Sequence, residues 1–510
     1  MQYINFFNQI YMITTNFTPD ASLREHLSLS YKELEEFNLI QKKEQEEKFG
    51  ENKEKTNKYF ENKIINFLEK ETRIKAVTVA FTDIEGKLQM LDYDKKFFIS
   101  SKNNLTFDGS SIKGFTELGS SDLRLAPDFA SFRLLPSDIF GTGKVLLFAN
   151  VHNVDGTQFS ADFRGRLQNE LINLKQSDNY EFLVAPEVEG FLLKGVDSEQ
   201  HYADTNTNGF EIATMGGYFN ALPKDDLRAF IDTVAEVQRA LGFENEKDHG
   251  EVAPSQFEIN FKYTNALITG DQILLYKLVA RQVAKLMGFT ASFLPKPVSG
   301  INGSGMHINM SIAKNGKNIF YKNGGEDNLS EFGQNFCTGV LHRAKEMNAI
   351  YCPSVNSYRR LDPNFEAPNA IQKSARDRGS IVRIPLANEK SSRIELRPVS
   401  PDANPYTVMF TLLKTGLDGV NATNTERTEM IEFRNRKPIK KLYENFSESI
   451  SAFKASKYLQ KLLGQETHNK YYEIKKEAVE RSPKSLGNTI KTGEIIFHHE
   501  VTNQVLWNKF

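Results

Sequence analysis

Pro186-Glu187-Val188-Glu189-Gly190-Phe191 sets two carboxylates two residues apart, directly after the apolar run Phe182-Leu183-Val184-Ala185. Side chains alternate faces along a strand, so Glu187 and Glu189 share one face and Val188 takes the other. Two further segments repeat the pattern. Gly305-Met306-His307-Ile308-Asn309-Met310 puts His307 and Asn309 on one face and apolar residues on the opposite one, and Arg393-Ile394-Glu395-Leu396-Arg397 separates its charges from Ile394 and Leu396. Alternation alone fits a sheet with one wet face. Buried charges, however, must be paired or bound to metal. Acidic residues with one His suit a hard divalent cation such as Mg²⁺ or Mn²⁺, with arginines nearby for anions.

Around these segments the chain reads as α+β. Ala76–Thr82 and Val145–Val151 are strand candidates, Glu85-Gly86-Lys87 is a turn into Leu88–Leu91, and Ile64–Leu68 is helical. Arg164–Leu174, Leu227–Leu241 and Asp271–Met287 read as helices that alternate with strands, without regular βαβ repetition. Before Tyr59 the character changes. Ser22–Ile40 spaces Leu23, Leu27, Leu34 and Phe37 as an amphipathic helix, while Gln41–Lys58 is almost all Lys, Glu, Asn and Gln, the composition of a solvated helix or disordered linker.

Bulk properties narrow the function. A chain of 510 residues supports a large core and more than one domain. Its net charge of −1 implies neither nucleic acid nor an acidic membrane as a partner. Cys337 and Cys352 are the only cysteines, which fits a reducing compartment and excludes a disulfide scaffold. No apolar run is long enough to span a bilayer, and Met1–Phe17 lacks the basic and apolar regions of a signal peptide. The expected setting is the cytoplasm. Gly141-Thr142-Gly143-Lys144 lacks phosphate-loop spacing and leads into a strand, so it reads as a turn.

Eight tracts together resemble the type I bacterial and archaeal glutamine synthetases. They are Phe107-Asp108-Gly109-Ser110-Ser111-Ile112, Pro186-Glu187-Val188-Glu189, Gly250-Glu251-Val252-Ala253-Pro254-Ser255-Gln256-Phe257-Glu258, Pro295-Lys296-Pro297, Asn302-Gly303-Ser304-Gly305-Met306-His307, Asn356-Ser357-Tyr358-Arg359-Arg360-Leu361, Glu366-Ala367-Pro368 and Arg393–Arg397. They follow the family's order from about Tyr59 to about Lys484. The resemblance implies a small β-grasp domain, residues 58–160, and a large catalytic domain, 161–510, whose antiparallel sheet forms a half-barrel active site flanked by helices. Residues 1–57 form a helical, low-complexity extension without a counterpart, whose removal is expected to leave activity intact.

The implied activity is that of a glutamate–ammonia ligase: ATP-dependent joining of ammonia to the γ-carboxylate of L-glutamate through γ-glutamyl phosphate. The alternative is a γ-glutamyl-amine ligase of the same fold acting on a polyamine or methylamine. The resemblance implies two or more Mg²⁺ or Mn²⁺ ions per site, with ATP as substrate. Glu189, Glu251 and Glu258 match the ligands of one ion, and Glu187, His307 and Glu395 those of the second. Glu251 and Glu258 are seven residues apart and would face opposite ways on a regular strand, so Pro254 must mark a bulge or turn. Asn302, Gly303, Arg360 and Arg397 match glutamate-binding positions; His249, Arg378 and Arg383 match positions serving ATP and the transferred group. Asp108, Ser111, Tyr218, Glu251 and Glu366 match the ammonium pocket, with Asp108 as base and Glu366 on a flap. The family's assembly implies a homo-oligomer, stacked hexameric rings, in which Asp108–Ser111 reach the neighbouring subunit's site.

Four departures stand out. Gly250 occupies a position where many relatives have His, and Ser255 one where Gly is common. No Asn-Leu-Tyr-Asp-Leu-Pro tract follows Asp418-Gly419, so control by adenylylation is unsupported, and Ser485–Phe510 differs from the usual terminal strap.

Overall fold

The computed structural model describes residues 29–199, 210–220, 225–298, 300–361 and 367–480. Leu23, Leu27, Glu366 and Ser485–Phe510 lie outside them. Two helices lead the chain, α1 (Tyr31–Glu47) and α2 (Lys53–Lys70). Ser30 starts α1 with a capping box, its hydroxyl accepting from Glu33 N–H while the Glu33 carboxylate accepts from Ser30 N–H.

A first sheet follows, built from β1 (Ala76–Thr82), β2 (Leu88–Asp94), β3 (Leu105–Asp108), β4 (Asp122–Pro127), β5 (Arg133–Leu134) and β6 (Lys144–His152). Its order is β2-β1-β6-β4-β3, with β5 paired to β6. The β1–β6 pair is parallel, and its apolar residues Val77, Val79, Val145 and Leu147 are wholly buried. Gly141 and Gly143, at φ 89° and 69°, make the expected turn into β6.

Helix α3 (Phe163–Asp178) opens the second part; Asp162 caps it and Asn179, at φ 54°, ends it. Next come β7 (Tyr180–Lys194), α4 (Asp226–Ala240), β8 (Asn245–Gly250), β9 (Gln256–Phe261) and α5 (Ala266–Leu286). The chain continues through β10 (Phe289–Ser292), β11 (Met306–Lys314), α6 (Glu331–Tyr351), β12 (Ala370–Ser374), β13 (Ser380–Arg383) and β14 (Ile394–Leu396). Helices α7 (Pro405–Asn421) and α8 (Gln465–Glu480) complete the labelled elements. Among the described residues the second sheet has ten strands, eight of which run β12-β13-β14-β11-β7-β9-β8 with β10 on β7, and two short ones, Thr264–Asn265 and Lys317–Asn318, pair with β7 and β11. Val184, Val188, Met306, Ile308, Ile394 and Leu396 bury its apolar side, where α3 and α5 pack on β7. The fold is thus a β-grasp unit followed by a half-barrel sheet flanked by helices.

The solvated reading of 41–58 holds for 51–58, exposed but for the half-buried Thr56, and is corrected for Gln41, Lys42 and Gln45. Helix α1 buries Leu34, Phe37, Asn38, Gln41, Lys42 and Gln45, a stripe at helical spacing that is mostly polar. Each polar member has a partner. Asn38 donates to Leu134 O at 2.9 Å and Ala240 O at 2.8 Å and accepts from Leu134 N at 2.9 Å. Lys42 Nζ meets Glu244 at 3.0 Å, and Gln45 Oε1 accepts from Arg133 at 3.1 Å. Composition hides this helix because satisfied polar groups replace apolar ones on its inner face. Helix α1 therefore straps the first sheet to α4, and α2 runs across residue 57 without a break.

A second tie is ionic. Arg164, wholly buried, donates two hydrogen bonds of 2.8 Å to Asp271 on α5, one of 2.9 Å to Asp128 beyond β4 and one of 2.9 Å to Asn150 on β6. A buried guanidinium needs such full pairing.

Candidate active site

The polar face of the second sheet gathers the residues singled out above, and strand register explains how. Glu189 pairs directly with Glu258, and Glu258 with His249. Glu187 pairs with His307. Asn309 pairs with Glu395, and Glu395 with Arg383. Paired residues of adjacent strands point to one side, so one row of side chains crosses β8, β9, β7, β11, β14 and β13. Glu251 joins it because the chain turns between β8 and β9, with Glu251 N–H donating to Gln256 O at 2.8 Å. The break expected at Pro254 is this turn, and Ser255 within it has φ 65°.

The row holds two groups whose donor atoms lie within 4.8 Å of one another: Glu187, His307 and Glu395; and His249, Glu251 and Glu258. His307 Nδ1 is 3.2 Å from Glu187 and 3.6 Å from Glu395. His249 is 3.6 Å from Glu251 and 3.8 Å from Glu258. His249, matched by resemblance to ATP, thus stands beside Glu251 and Glu258, which the resemblance matches to ligands of one ion. Glu189 adjoins that group, its carboxylate accepting from Gly305 N–H at 2.7 Å and Gln256 Nε2 at 3.3 Å.

Electrostatics follow from crowding. Burial, then the Glu189 charge, pushes the Glu251 carboxyl up to about 7. Burial and then Glu189, Glu187 and Glu251 push Glu258 well above the usual carboxylate range. Burial also opposes ionisation of Glu187, but its bond to His307 and that imidazole's charge prevail and hold it down to about 2. Carboxylates that resist one another's ionisation in a half-buried cluster with imidazoles are the donor set a hard divalent cation relieves.

Arginines border the row. Arg383 donates to Glu395 at 2.9 Å, and Arg397 Nε lies 3.6 Å from the other Glu395 oxygen. Arg360, buried, is fixed by three carbonyls, of Arg397, Pro398 and Val399, at 3.0, 3.0 and 3.3 Å. Gly303 approaches closely: a Cβ there would stand 2.4 Å from Pro295 O. Together with Tyr218, Asn302 and Arg378 these residues line one cleft of about 320 Å³.

Asp108 and Ser111 do not line this cleft. They sit where β3 ends, with Asp108 exposed and accepting from the Ser110 and Ser111 hydroxyls at 2.6 Å. These bonds hold its carboxyl below the usual range. Residues not singled out from sequence also take part. Gln256, buried, bridges Glu189, Gly303 O and Ser304, and Lys247 lines the cleft. Each was legible in strand parity, Gln256 with Glu258 and Lys247 with His249.

Residues 73–154 match the family description "Glutamine synthetase, beta-Grasp domain", and residues 160–489 match "Glutamine synthetase, catalytic domain". A glutamine synthetase of Clostridium saccharobutylicum is 38% identical over 419 residues, covering 80% of this chain and 92% of that one. One of Methanocaldococcus jannaschii is 35% identical over 424 residues, covering 80% and 92%. The solved structure of a Plasmodium falciparum glutamine synthetase shares the fold at a TM-score of 0.74, with 21% identity over 85% of this chain and 98% of that one.

Proposed function

The chain belongs to the glutamine synthetase family and ligates ammonia to L-glutamate to form glutamine, and we propose that the row of side chains across the second sheet is its reaction centre. The row carries this reading because adjacent strands bring carboxylates, imidazoles and arginines to one cleft. Among the described residues no helix is long and apolar enough to cross a membrane; the reading sets the protein in the cytoplasm.

The reaction meets two obstacles: a carboxylate is a poor electrophile, and ammonium has no lone pair. In this proposal ATP phosphorylates the γ-carboxylate, giving γ-glutamyl phosphate and ADP. Ammonia then attacks the acyl carbon and phosphate leaves. Glu189, Glu251 and Glu258, with His249 beside them, would hold one divalent cation, and Glu187, His307 and Glu395 a second. Bound there, Mg²⁺ or Mn²⁺ would neutralise phosphate charge. Arg360 and Arg397 hold the glutamate carboxylates and the phosphoryl group, and Arg378 and Arg383 serve the ATP phosphates; planar forks match both shapes. Carbonyl anchoring keeps the Arg360 plane from turning, and Asn302 and Gly303 position the substrate backbone.

Tyr218, Glu251, Glu366 and a neighbouring subunit's Asp108 and Ser111 form the ammonium pocket. The exposure of Asp108 and Ser111, away from their own chain's cleft, supports a homo-oligomer that completes its sites between subunits. An ionised Asp108 attracts ammonium and takes its proton. Of the domain plan 1–57, 58–160 and 161–510, the boundary at 160/161 is kept as proposed, while the one at 57/58 falls inside α2 and moves to the end of that helix at Lys70. Phosphate release from ATP and glutamate tests the centre, with ammonium set against methylamine and putrescine. Ammonium should stimulate most; a far larger response to an organic amine would reassign the pocket.

A further inference from the structure

Ser255 lies in the β8–β9 turn, with Glu251 before it and Glu258 after it. Its φ of 65° falls in the left-handed region, where glycine is at ease and a Cβ is strained. The turn itself would be satisfied by glycine, yet every polar group of this serine is bonded. Its N–H donates to Gly216 O at 2.9 Å, and its carbonyl accepts from Leu192 N at 2.9 Å. Its wholly buried hydroxyl donates to Leu192 O at 2.7 Å and accepts from Ala213 N at 3.0 Å and Thr214 N at 3.2 Å. All three hydroxyl bonds leave the turn. One goes to β7, three residues past Glu189, and two go to the 210–220 loop that carries Tyr218.

Gly250 meets the same loop from the other end of the turn. A Cβ at Gly250 would stand 2.9 Å from Gly217 O. The loop runs close along the turn, since a Cβ on Gly217 would lie 3.4 Å from Glu251 O. At its end Tyr218 stands edge-on to His249, with ring centroids 6.0 Å apart, and Phe219 stacks on Tyr218 at 3.9 Å. The side chain absent at 250 and the hydroxyl present at 255 therefore act on one object. We propose that Ser255 is a positioning residue for ammonia use: its hydroxyl holds the 213–218 backbone, and so Tyr218, against the carboxylate-bearing turn, in a seat that Gly250 leaves open. This rests on the assignment of Tyr218 to the ammonium pocket.

Steady-state kinetics of the full-length Mg²⁺-loaded oligomer test it with Ser255→Gly, Ser255→Ala, Gly250→Ala and Tyr218→Ala. Both Ser255 variants should raise KM for ammonium by on the order of tenfold, the cost of a few lost hydrogen bonds. KM for ATP and glutamate should stay within about twofold, because the arginine contacts are untouched. Ser255→Gly should nonetheless melt higher than Ser255→Ala, having lost the backbone strain. Activity that merely tracks melting temperature would make the role structural and overturn the proposal. Gly250→Ala should also raise KM for ammonium, and its effect should not add to that of Ser255→Gly, because a displaced loop has no seat left to lose. Additive effects would refute the shared loop. If Tyr218→Ala raises KM for ammonium and the Ser255 variants do not, only the positioning role falls. If Tyr218→Ala has no effect, the pocket assignment falls and takes this role with it.

Discussion

Replacing Asn38 by Ala should destabilise the protein by about 3 kcal/mol. The Asn38 side chain is wholly buried and makes three hydrogen bonds. Two of them pair with the N–H and C=O of Leu134, on the short strand β5, whose strand partner is β6. The third satisfies the carbonyl of Ala240, last residue of α4, where a helix leaves carbonyls without intrahelical donors. Truncation thus strands three buried backbone groups. Each unsatisfied group costs about 1–3 kcal/mol, and taking the low end for each gives about 3 kcal/mol in all. Spread over the unfolding entropy of a chain this size, that lowers the melting temperature by about 3 °C. The assay is thermal unfolding by circular dichroism at fixed protein concentration, since oligomer stability depends on it. Lys43→Ala, on the exposed side of α1, is the control and should melt within about 0.5 °C of wild type, a neutral surface change. Equal melting of Asn38→Ala and Lys43→Ala would refute the strap. The same logic reverses the expectation that residues 1–57 are dispensable: their removal uncovers Phe67 and Phe132, on which Phe37 packs, and strips Leu134, Ala240, Glu244 and Arg133 of the side chains that bond them.

Glu251→Gln and His307→Ala should each abolish turnover and most of the thermal stabilisation that saturating Mg²⁺ or Mn²⁺ gives wild type, about 2.7 kcal/mol at a hundredfold excess over Kd; near-normal kinetics at low Mg²⁺ would sink the ligand assignment. Burial disfavours the Glu85 charge, but Lys475 and Lys113 overcome it and hold the carboxyl down to about 2, against an ordinary 4.5. A depressed folded value adds stability above pH 4.5 that is lost as pH falls toward 2. Glu85→Gln should therefore be about 3 kcal/mol less stable near pH 7, with the gap narrowing from pH 4.5 down toward 2 in denaturant titrations; a constant gap would refute the linkage. Asp108→Ala should slow ammonia attack more than formation of acyl phosphate, measured by rapid quench. Mixing it with Glu251→Gln protein should restore partial activity once native mass spectrometry confirms subunit exchange; exchanged but inactive oligomers would mean the site is not shared.

What the sequence determined by itself is what depends on local rules. Alternation placed Glu187 with Glu189 and His307 with Asn309 on common faces, because a strand's period of two needs no tertiary information. Pro254 between Glu251 and Glu258 required a turn, since no regular strand carries both to one side. The strands Ala76–Thr82 and Val145–Val151 were legible from β-branched and aromatic runs, and the ordered tracts identified the family. Tertiary structure alone decided what depends on register and partners. His249 joined Glu251 and Glu258 because β8 pairs with β9 at His249 and Glu258, an offset that no spacing encodes. The buried stripe of α1 beyond Ile40 escaped notice because Gln41, Lys42 and Gln45 read as solvated until partners 88 to 202 residues away come into place. The hydroxyl of Ser255 was likewise mute in sequence. A serine in a turn is ordinary, and only its left-handed backbone, together with the loop folded over it, gives it three partners.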